Sequence, residues 1–188
     1  MDTKLINRNI ETVVKEACRY FSVITVTGPR QSGKTTLIKQ LFSDFQYYSL
    51  ENPDTKLLAL NDPIGFLQSH TSGVILDEVQ NAPELFSYIQ GLVDENRERK
   101  FILSGSSNFA LMKNISQSLA GRTAVFELLP LSFGEVSLLT QQKTINEILF
   151  DGFYPAIYSG KKTPSLFYPN YVKTYLDRDV RDLLNKLI

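Results

Sequence analysis

Tryptophan is absent from this chain, methionine occurs twice, and cysteine and histidine once each, as Cys18 and His70. A lone cysteine closes no internal disulfide and has no partner for a metal site, which suits a reducing compartment. A lone histidine, placed in a helix-to-strand connection, fits a solvated or capping role, and no Ser/His/Asp or Cys/His nucleophile arrangement can be assembled around it.

Net charge is missing too. Twenty Lys+Arg balance twenty Asp+Glu, so no global positive field exists to condense on a nucleic-acid backbone or an acidic membrane face. No apolar run approaches the ~20 residues of a membrane span, and the opening MDTKLINRN lacks the apolar centre of a signal peptide. The expectation is a cytoplasmic protein with no membrane partner and no indicated nucleic-acid partner. Internal repeats and low-complexity segments are likewise absent.

What is present is a globular composition, 43% hydrophobic and 21% charged over 188 residues, enough for one core and a small appendage. Apolar residues at helical spacing over 5–20 lead into a short apolar run, Phe21 to Val26, of the kind a buried parallel strand needs. Further strands are expected at Gln46–Leu50, at Gly73–Leu76 ahead of Asp77-Glu78, at Lys100–Leu103 and at Thr123–Leu129. Helices are expected between them, including Pro83–Lys100, ending in the charged run Arg97-Glu98-Arg99-Lys100, and Asn108–Ala120. This alternation predicts an α/β fold, a mostly parallel sheet flanked by helices.

Beyond Pro130 the pattern turns helical, with helices expected over 131–140, 145–150 and 168–188. The expected division is a core over 1–130, including the amino-terminal helix, and a helical lid over 131–188. Phe167, Tyr168, Tyr171 and Tyr175 have helical spacing and are expected to pack that appendage rather than to stack bases. The last helix is still amphipathic at Ile188, so a longer protein is expected to continue there.

Directly after the first apolar run stands Thr27-Gly28-Pro29-Arg30-Gln31-Ser32-Gly33-Lys34-Thr35-Thr36. Gly28 and Gly33 permit close backbone approach, so that successive amides of the loop from Gly28 to Thr36 can point at phosphate oxygens. Lys34 adds a point charge, the following helix adds its positive dipole end, and Thr35 offers a hydroxyl for Mg²⁺. Strand, loop and helix together form the context a phosphate loop requires.

Asp77-Glu78 ends an apolar strand. A parallel strand adjacent to the phosphate-loop strand would place both carboxylates beside Thr35, Asp77 as metal-shell ligand and Glu78 orienting or deprotonating an attacking water. The plainer alternative is a solubilised strand end. Ser104, Ser106, Ser107 and Asn108 follow the next strand, where they can contact a phosphate or the water, or simply cap a helix. Arg122, between a helix and the fifth strand, can reach a neighbouring subunit's nucleotide or merely answer a helix dipole.

In combination, TGPRQSGKTTL, ILDEVQNAP, FILSGSSNF, SLAGRTAVFELLPLSFGE and YVKTYLDRDVRDL resemble the AAA+-type P-loop ATPases of bacteria and archaea whose amino-terminal ATPase domain precedes a carboxyl-terminal domain of undefined function. The resemblance implies an AAA+ core with a helical lid, Gly28 to Thr35 as the Walker A loop, Asp77-Glu78 as the Walker B pair, and ATP or ADP with Mg²⁺ as cofactors. It makes Ser106 or Ser107 the sensor and Arg122 an arginine finger supplied in trans by a homo-oligomer. It also makes Arg178 and Arg181 candidate lid arginines. The implied activity is ATP hydrolysis driving movement of an attached domain or protein partner; the alternative is a nucleotide-gated switch with little turnover. The adenine preference rests on this resemblance. The sequence departs from the family in carrying Ser at the sensor, DGFYP for the commoner Gly-Gly-aromatic-Pro, and almost none of the carboxyl-terminal domain.

Overall fold

The computed structural model describes residues 5–69, 72–106, 109–160 and 162–176. In chain order the elements are α1 (Glu11–Tyr20), β1 (Val23–Thr27), α2 (Lys34–Leu41), β2 (Gln46–Ser49), α3 (Pro53–Asn61), α4 (Pro63–Gln68) and β3 (Val74–Asp77). A short 3₁₀ turn (Val79–Asn81) leads to α5 (Leu85–Glu95), β4 (Phe101–Ser104), α6 (Phe109–Ser118) and β5 (Thr123–Glu127). There follow α7 (Phe133–Leu139), α8 (Ile145–Asp151), α9 (Pro155–Tyr158) and α10 (Pro164–Tyr171), the last continuing into a π-turn (Val172–Leu176).

Residues group into two compact units by their contacts: residues 9–29 with 33–129, and the short segments up to 8 and 30–32 with residues from 130 onward. In the larger unit the strands form one parallel sheet in the order β2-β3-β4-β1-β5. The three inner strands are buried along their whole length and the two edge strands only partly, which is why β1, β3 and β4 read as near-continuous apolar runs.

The period-2 alternation of a strand sends successive side chains to opposite faces. Val23, Val74, Leu76, Phe101 and Leu103 face one layer with Phe66, Leu85, Phe86, Ile89 and Ile115 from α4, α5 and α6. Ile24, Val26, Ile75 and Ile102 face the other with Val14 of α1 and Leu37 and Ile38 of α2. The sheet is therefore covered on both faces, as the alternation of elements predicts.

Gly28 sits at the carboxyl end of β1 with φ 143°, and a Cβ there would lie 2.2 Å from the Leu128 carbonyl oxygen. Both the backbone angle and the closeness of a second backbone demand glycine. Gly28→Ala is expected to cost about 2 kcal/mol or more, lowering the melting midpoint by roughly 4 °C or more. A thermal scan showing no shift would remove the steric argument.

Several boundaries differ from the sequence-based expectation. The first helix starts at Glu11, not at residue 5; Ile6 instead packs with Leu131, Val136 and Ile148 in the smaller unit. Helix α5 ends at Glu95, so the run Arg97–Lys100 lies outside it. Asn96 takes extended angles, and its Oδ1 accepts from the Glu98 amide, the local side-chain bond that makes Asn a helix terminator. Helix α10 starts at Pro164 in its first turn, where proline's missing N–H is no loss, rather than at Tyr168.

Within the smaller unit, α7 and α8 each begin with a full capping box, Ser132/Glu135 and Thr144/Glu147. Phe167 stacks on Tyr171 at 5.5 Å between centroids, and Tyr171 meets Tyr175 at 5.0 Å, so these aromatics do pack the appendage. The end of the expected last helix, from residue 177, lies outside the described residues, and with it Arg178 and Arg181. No helix among the described residues is long and apolar enough to cross a membrane.

Candidate functional site

The carboxyl ends of the parallel strands carry the site, where such folds expose their crossover loops. The chain leaves β1 through Gly28 and enters α2 through Gly33, whose left-handed φ of 99° turns the backbone into the first helical residue, Lys34. Gln31, with φ 61°, is a second left-handed turn inside the loop. Lys34 is 5% exposed and its Nζ donates to the Gly28 and Pro29 carbonyls at 3.0 Å each, folding the ammonium across the loop's entrance.

Thr35 in the first turn of α2 donates from Oγ1 to Asp77 Oδ2 at 2.7 Å. Here the structure corrects an expectation: β3 does not neighbour β1, since β4 lies between them. Strand order in a sheet follows crossover packing rather than chain order. The two residues still meet, because α2 lies across β1, β4 and β3 and carries Thr35 to the end of β3.

Asp77 is buried and its carboxylate accepts four donors. Oδ2 takes Thr35 and the Tyr47 hydroxyl at 2.8 Å; Oδ1 takes the Glu78 amide at 3.1 Å and the Ser104 hydroxyl. Burial pushes the Tyr47 phenol well above its ordinary value, and its bond to the Asp77 carboxylate adds to the effect. Tyr47 thus stays a neutral donor at any physiological pH. Ser104, one of four polar residues grouped together in the sequence, proves to be a partner of Asp77.

Glu78 follows in the left-handed region, φ 55° and ψ 45°, an angle pair that costs a non-glycine residue about 1–3 kcal/mol and concentrates at functional sites. Its Oε2 accepts from Gln80 Nε2, which also reaches Ser106 Oγ at 3.4 Å. Gly105 leaves the room Gln80 occupies, since a Cβ there would lie 2.2 Å from Gln80 Oε1. Ser106 therefore joins Gln80 and Glu78; Ser107 and Asn108 lie outside the described residues, as does His70.

Arg122 stands elsewhere. Its carbonyl accepts from the Val23 amide at 3.2 Å, which puts it at the amino edge of the sheet, about five residues or 16 Å of strand from the phosphate loop. Its guanidinium forks onto Asp94, Nε to Oδ1 at 2.6 Å and Nη2 to Oδ2 at 2.8 Å. The pair is solvent-exposed, Asp94 held below its ordinary carboxylate range by the Arg122 hydrogen bond. An arginine side chain cannot span that distance to its own chain's loop.

The residues fit a polyphosphate and a hard cation. Ser32 Oγ is buried with no hydrogen-bond partner, which a buried hydroxyl rarely tolerates, and it lies in the loop itself. Thr35 and Asp77 supply the oxygen donors that Mg²⁺ selects. No cluster of three or more His, Cys, Asp or Glu that could hold a metal ion exists among the described residues.

Tyr47 and Gln80 were not legible as site residues. Gln80 lies two positions after Glu78, a spacing that on its own gives no signal, and Tyr47 is brought in only by the pairing of β2 with β3, Ser49 opposite Asp77.

A five-stranded parallel sheet with a glycine loop after β1, an inner strand, and an acidic pair two strands away at the end of β3 defines a P-loop nucleotide-binding fold of the AAA type. The chain belongs to the AAA domain family, whose model matches residues 20–137. It is 29% identical over 182 residues to an uncharacterised protein of Mycobacterium tuberculosis, covering 94% of this chain and 40% of that one. A second relative, an uncharacterised protein of Methanocaldococcus jannaschii, is 31% identical over 142 residues, 70% of this chain and 31% of that one. The chain thus spans about two fifths or less of the length of these relatives. Among solved structures it resembles a Walker-type ATPase of Pyrococcus abyssi, with a TM-score of 0.64 at 14% identity over 97% of this chain and 76% of that one. It also resembles a STAND protein with a tetratricopeptide repeat sensor from Pyrococcus horikoshii, with a TM-score of 0.55 at 15% identity over 82% and 29%. At such identities these two likenesses bear on the fold.

Proposed function

We propose that this chain is a Mg²⁺-dependent ATPase domain in which Lys34 and the backbone N–H groups of the loop over residues 28–36, Pro29 having none, bind the polyphosphate, Thr35 and Asp77 hold the metal, and Glu78 orients or deprotonates the attacking water. The observation that carries the reading is the bond between Thr35 Oγ1 and Asp77 Oδ2, with Glu78 immediately following in a strained backbone conformation. Mg²⁺ bound there would offset phosphate charge. Thr35 keeps its oxygen lone pairs available while its proton is committed to Asp77. Lys34 exchanges its two carbonyl partners for phosphate oxygens, and Ser32 Oγ gains the partner it lacks.

One observation favours slow turnover. The Gln80 amide occupies the Glu78 carboxylate, so in this arrangement Glu78 is engaged before any water reaches it. A nucleotide-gated switch that holds ATP or ADP and hydrolyses little is the second reading, with release of Gln80 as the step that arms Glu78. In either case nucleotide state would act on residues 130–176 and on any attached domain or protein partner.

Arg122 enters as a residue supplied to a second copy's nucleotide, after leaving Asp94; a surface ion pair of this kind holds weakly. A cytoplasmic location is part of the same proposal. The test is phosphate release from ATP with Mg²⁺ across a range of protein concentrations. Turnover that EDTA abolishes, and that rises per chain with concentration, is the result expected for an ATPase completed by Arg122 in trans. Tight nucleotide binding with a flat, near-zero rate supports the switch, and absence of nucleotide binding removes both readings.

A further inference from the structure

Arg8 lies outside every motif, yet its guanidinium makes three different bonds in one buried place. Nε donates to Glu135 Oε1 at 3.1 Å, Nη1 to the Ser32 carbonyl at 2.9 Å and Nη2 to the Pro130 carbonyl at 3.2 Å. The side chains of Arg8 and Glu135 are 8% and 5% exposed. Glu135 Oε2 meanwhile accepts from the Ser132 amide at 2.7 Å, so the acid is fixed by its helix cap before it holds the arginine. A second bond reaches the same loop: Tyr171 Oη donates to the Arg30 carbonyl at 3.3 Å and accepts from Tyr154 Oη at 2.9 Å. Residues 8, 30–32, 130, 135, 154 and 171 all belong to the smaller unit.

A trans peptide is planar, so its C=O and the following N–H point in opposite directions. Turning the Ser32 carbonyl toward Arg8 turns the Gly33 amide away from it, and turning the Arg30 carbonyl toward Tyr171 does the same to the Gln31 amide. Both amides belong to the loop read above as a phosphate cradle, which works only if its N–H groups and not its carbonyls face the anion. Gly33 has φ 99° and Gln31 φ 61°, so both amides of interest begin left-handed residues.

We infer that Arg8 and Tyr171 are positioning residues for polyphosphate binding: by holding the Ser32 and Arg30 carbonyls they orient the Gly33 and Gln31 amides toward the anion. The inference rests on the reading of residues 28–36 as a phosphate loop. Arginine suits this task because a planar fork serves three acceptors in different directions at once, which a lysine ammonium on a flexible stem does not reproduce.

The test uses the whole chain in three forms: wild type, Arg8→Lys and Tyr171→Phe. Arg8→Lys keeps a positive charge against Glu135, avoiding an uncompensated buried carboxylate; Tyr171→Phe removes one oxygen and carries the test should Arg8→Lys fail to fold. Calorimetry with ADP and with tripolyphosphate, beside nucleotide-free thermal melting, gives the readouts. The expected result is a Kd raised about tenfold in Arg8→Lys and about three- to tenfold in Tyr171→Phe, for both ligands. A residue that only supports the fold would lower the melting midpoint and leave the Kd of the folded protein unchanged. Wild-type affinity in folded variants overturns the inference alone. Failure of the wild type to bind either ligand overturns it together with the phosphate-loop reading.

Discussion

Glu78→Gln lowers ATP turnover about 10²–10⁴-fold, the usual contribution of a positioned general base, and leaves nucleotide affinity within about threefold, a free-energy change under 1 kcal/mol. The two side chains have the same shape. The backbone at φ 55° is unchanged, and the glutamine can turn its amide oxygen to the Gln80 Nε2 that now bonds the carboxylate. Asp77 keeps its four donors, so the fold around it persists while the proposed proton acceptor is gone. Steady-state phosphate release and equilibrium binding on the same preparations check this. Equal turnover in the two proteins sinks the role given to Glu78 and leaves the nucleotide site standing.

Lys34→Ala acts one step earlier. The ammonium donates to two carbonyls at 3.0 Å; on the proposed reading its charge-assisted bonds go to phosphate once nucleotide binds. Such bonds contribute about 1.5–3 kcal/mol each, so affinity for ATP and ADP falls roughly 10- to 100-fold or more. Alanine suits the first turn of α2, and the sheet cores do not involve Lys34, so the variant folds. Its melting midpoint drops by a few degrees for the lost carbonyl bonds. Titration calorimetry with ADP is the check. A folded variant with wild-type affinity would mean that residues 28–36 are not the polyphosphate site.

These two substitutions also separate the readings. An ATPase loses turnover in both; a switch with little turnover shows its defect only in the lysine variant. On the proposed reading Gln80 sets which regime applies, because its amide bonds the Glu78 carboxylate.

How much of this was legible before any coordinates can be judged residue by residue. The turn from β1 into α2 was plain in the sequence because glycine at 28 and 33 encodes backbone angles directly, within a few residues of the strand and helix it joins. Asp77-Glu78 was plain because a buried parallel strand is uniformly apolar, so acid at its end marks where the chain emerges. The approximate places of the five strands followed from the same local contrast. Element ends did not: Asn96 stopped α5 before a charged run that composition alone extends into the helix, and Pro164 began α10 where a loop was expected.

The partners of the site were another matter. Asp77 was expected beside Thr35 through neighbouring strands, and it arrives there with a strand between, because α2 spans the sheet face. Tyr47 and Ser104 gain their contacts from strand register, Gln80 meets Glu78 only two positions away, and Arg8 forks onto the Pro130 and Ser32 carbonyls, 122 and 24 positions away. Arg122, expected to serve a second subunit's nucleotide, is paired in this chain to Asp94 at the far edge of the sheet. The sequence alone determined that a parallel sheet would form and which groups at its carboxyl edge are candidates for a phosphate, since backbone angles and burial pattern are encoded within a few residues. Only the tertiary structure decided which side chains hold Asp77, Glu78 and the loop in place. Apart from the Gln80–Glu78 bond, those contacts join residues from separate elements, and long-range register and packing, rather than local preference, set who meets whom.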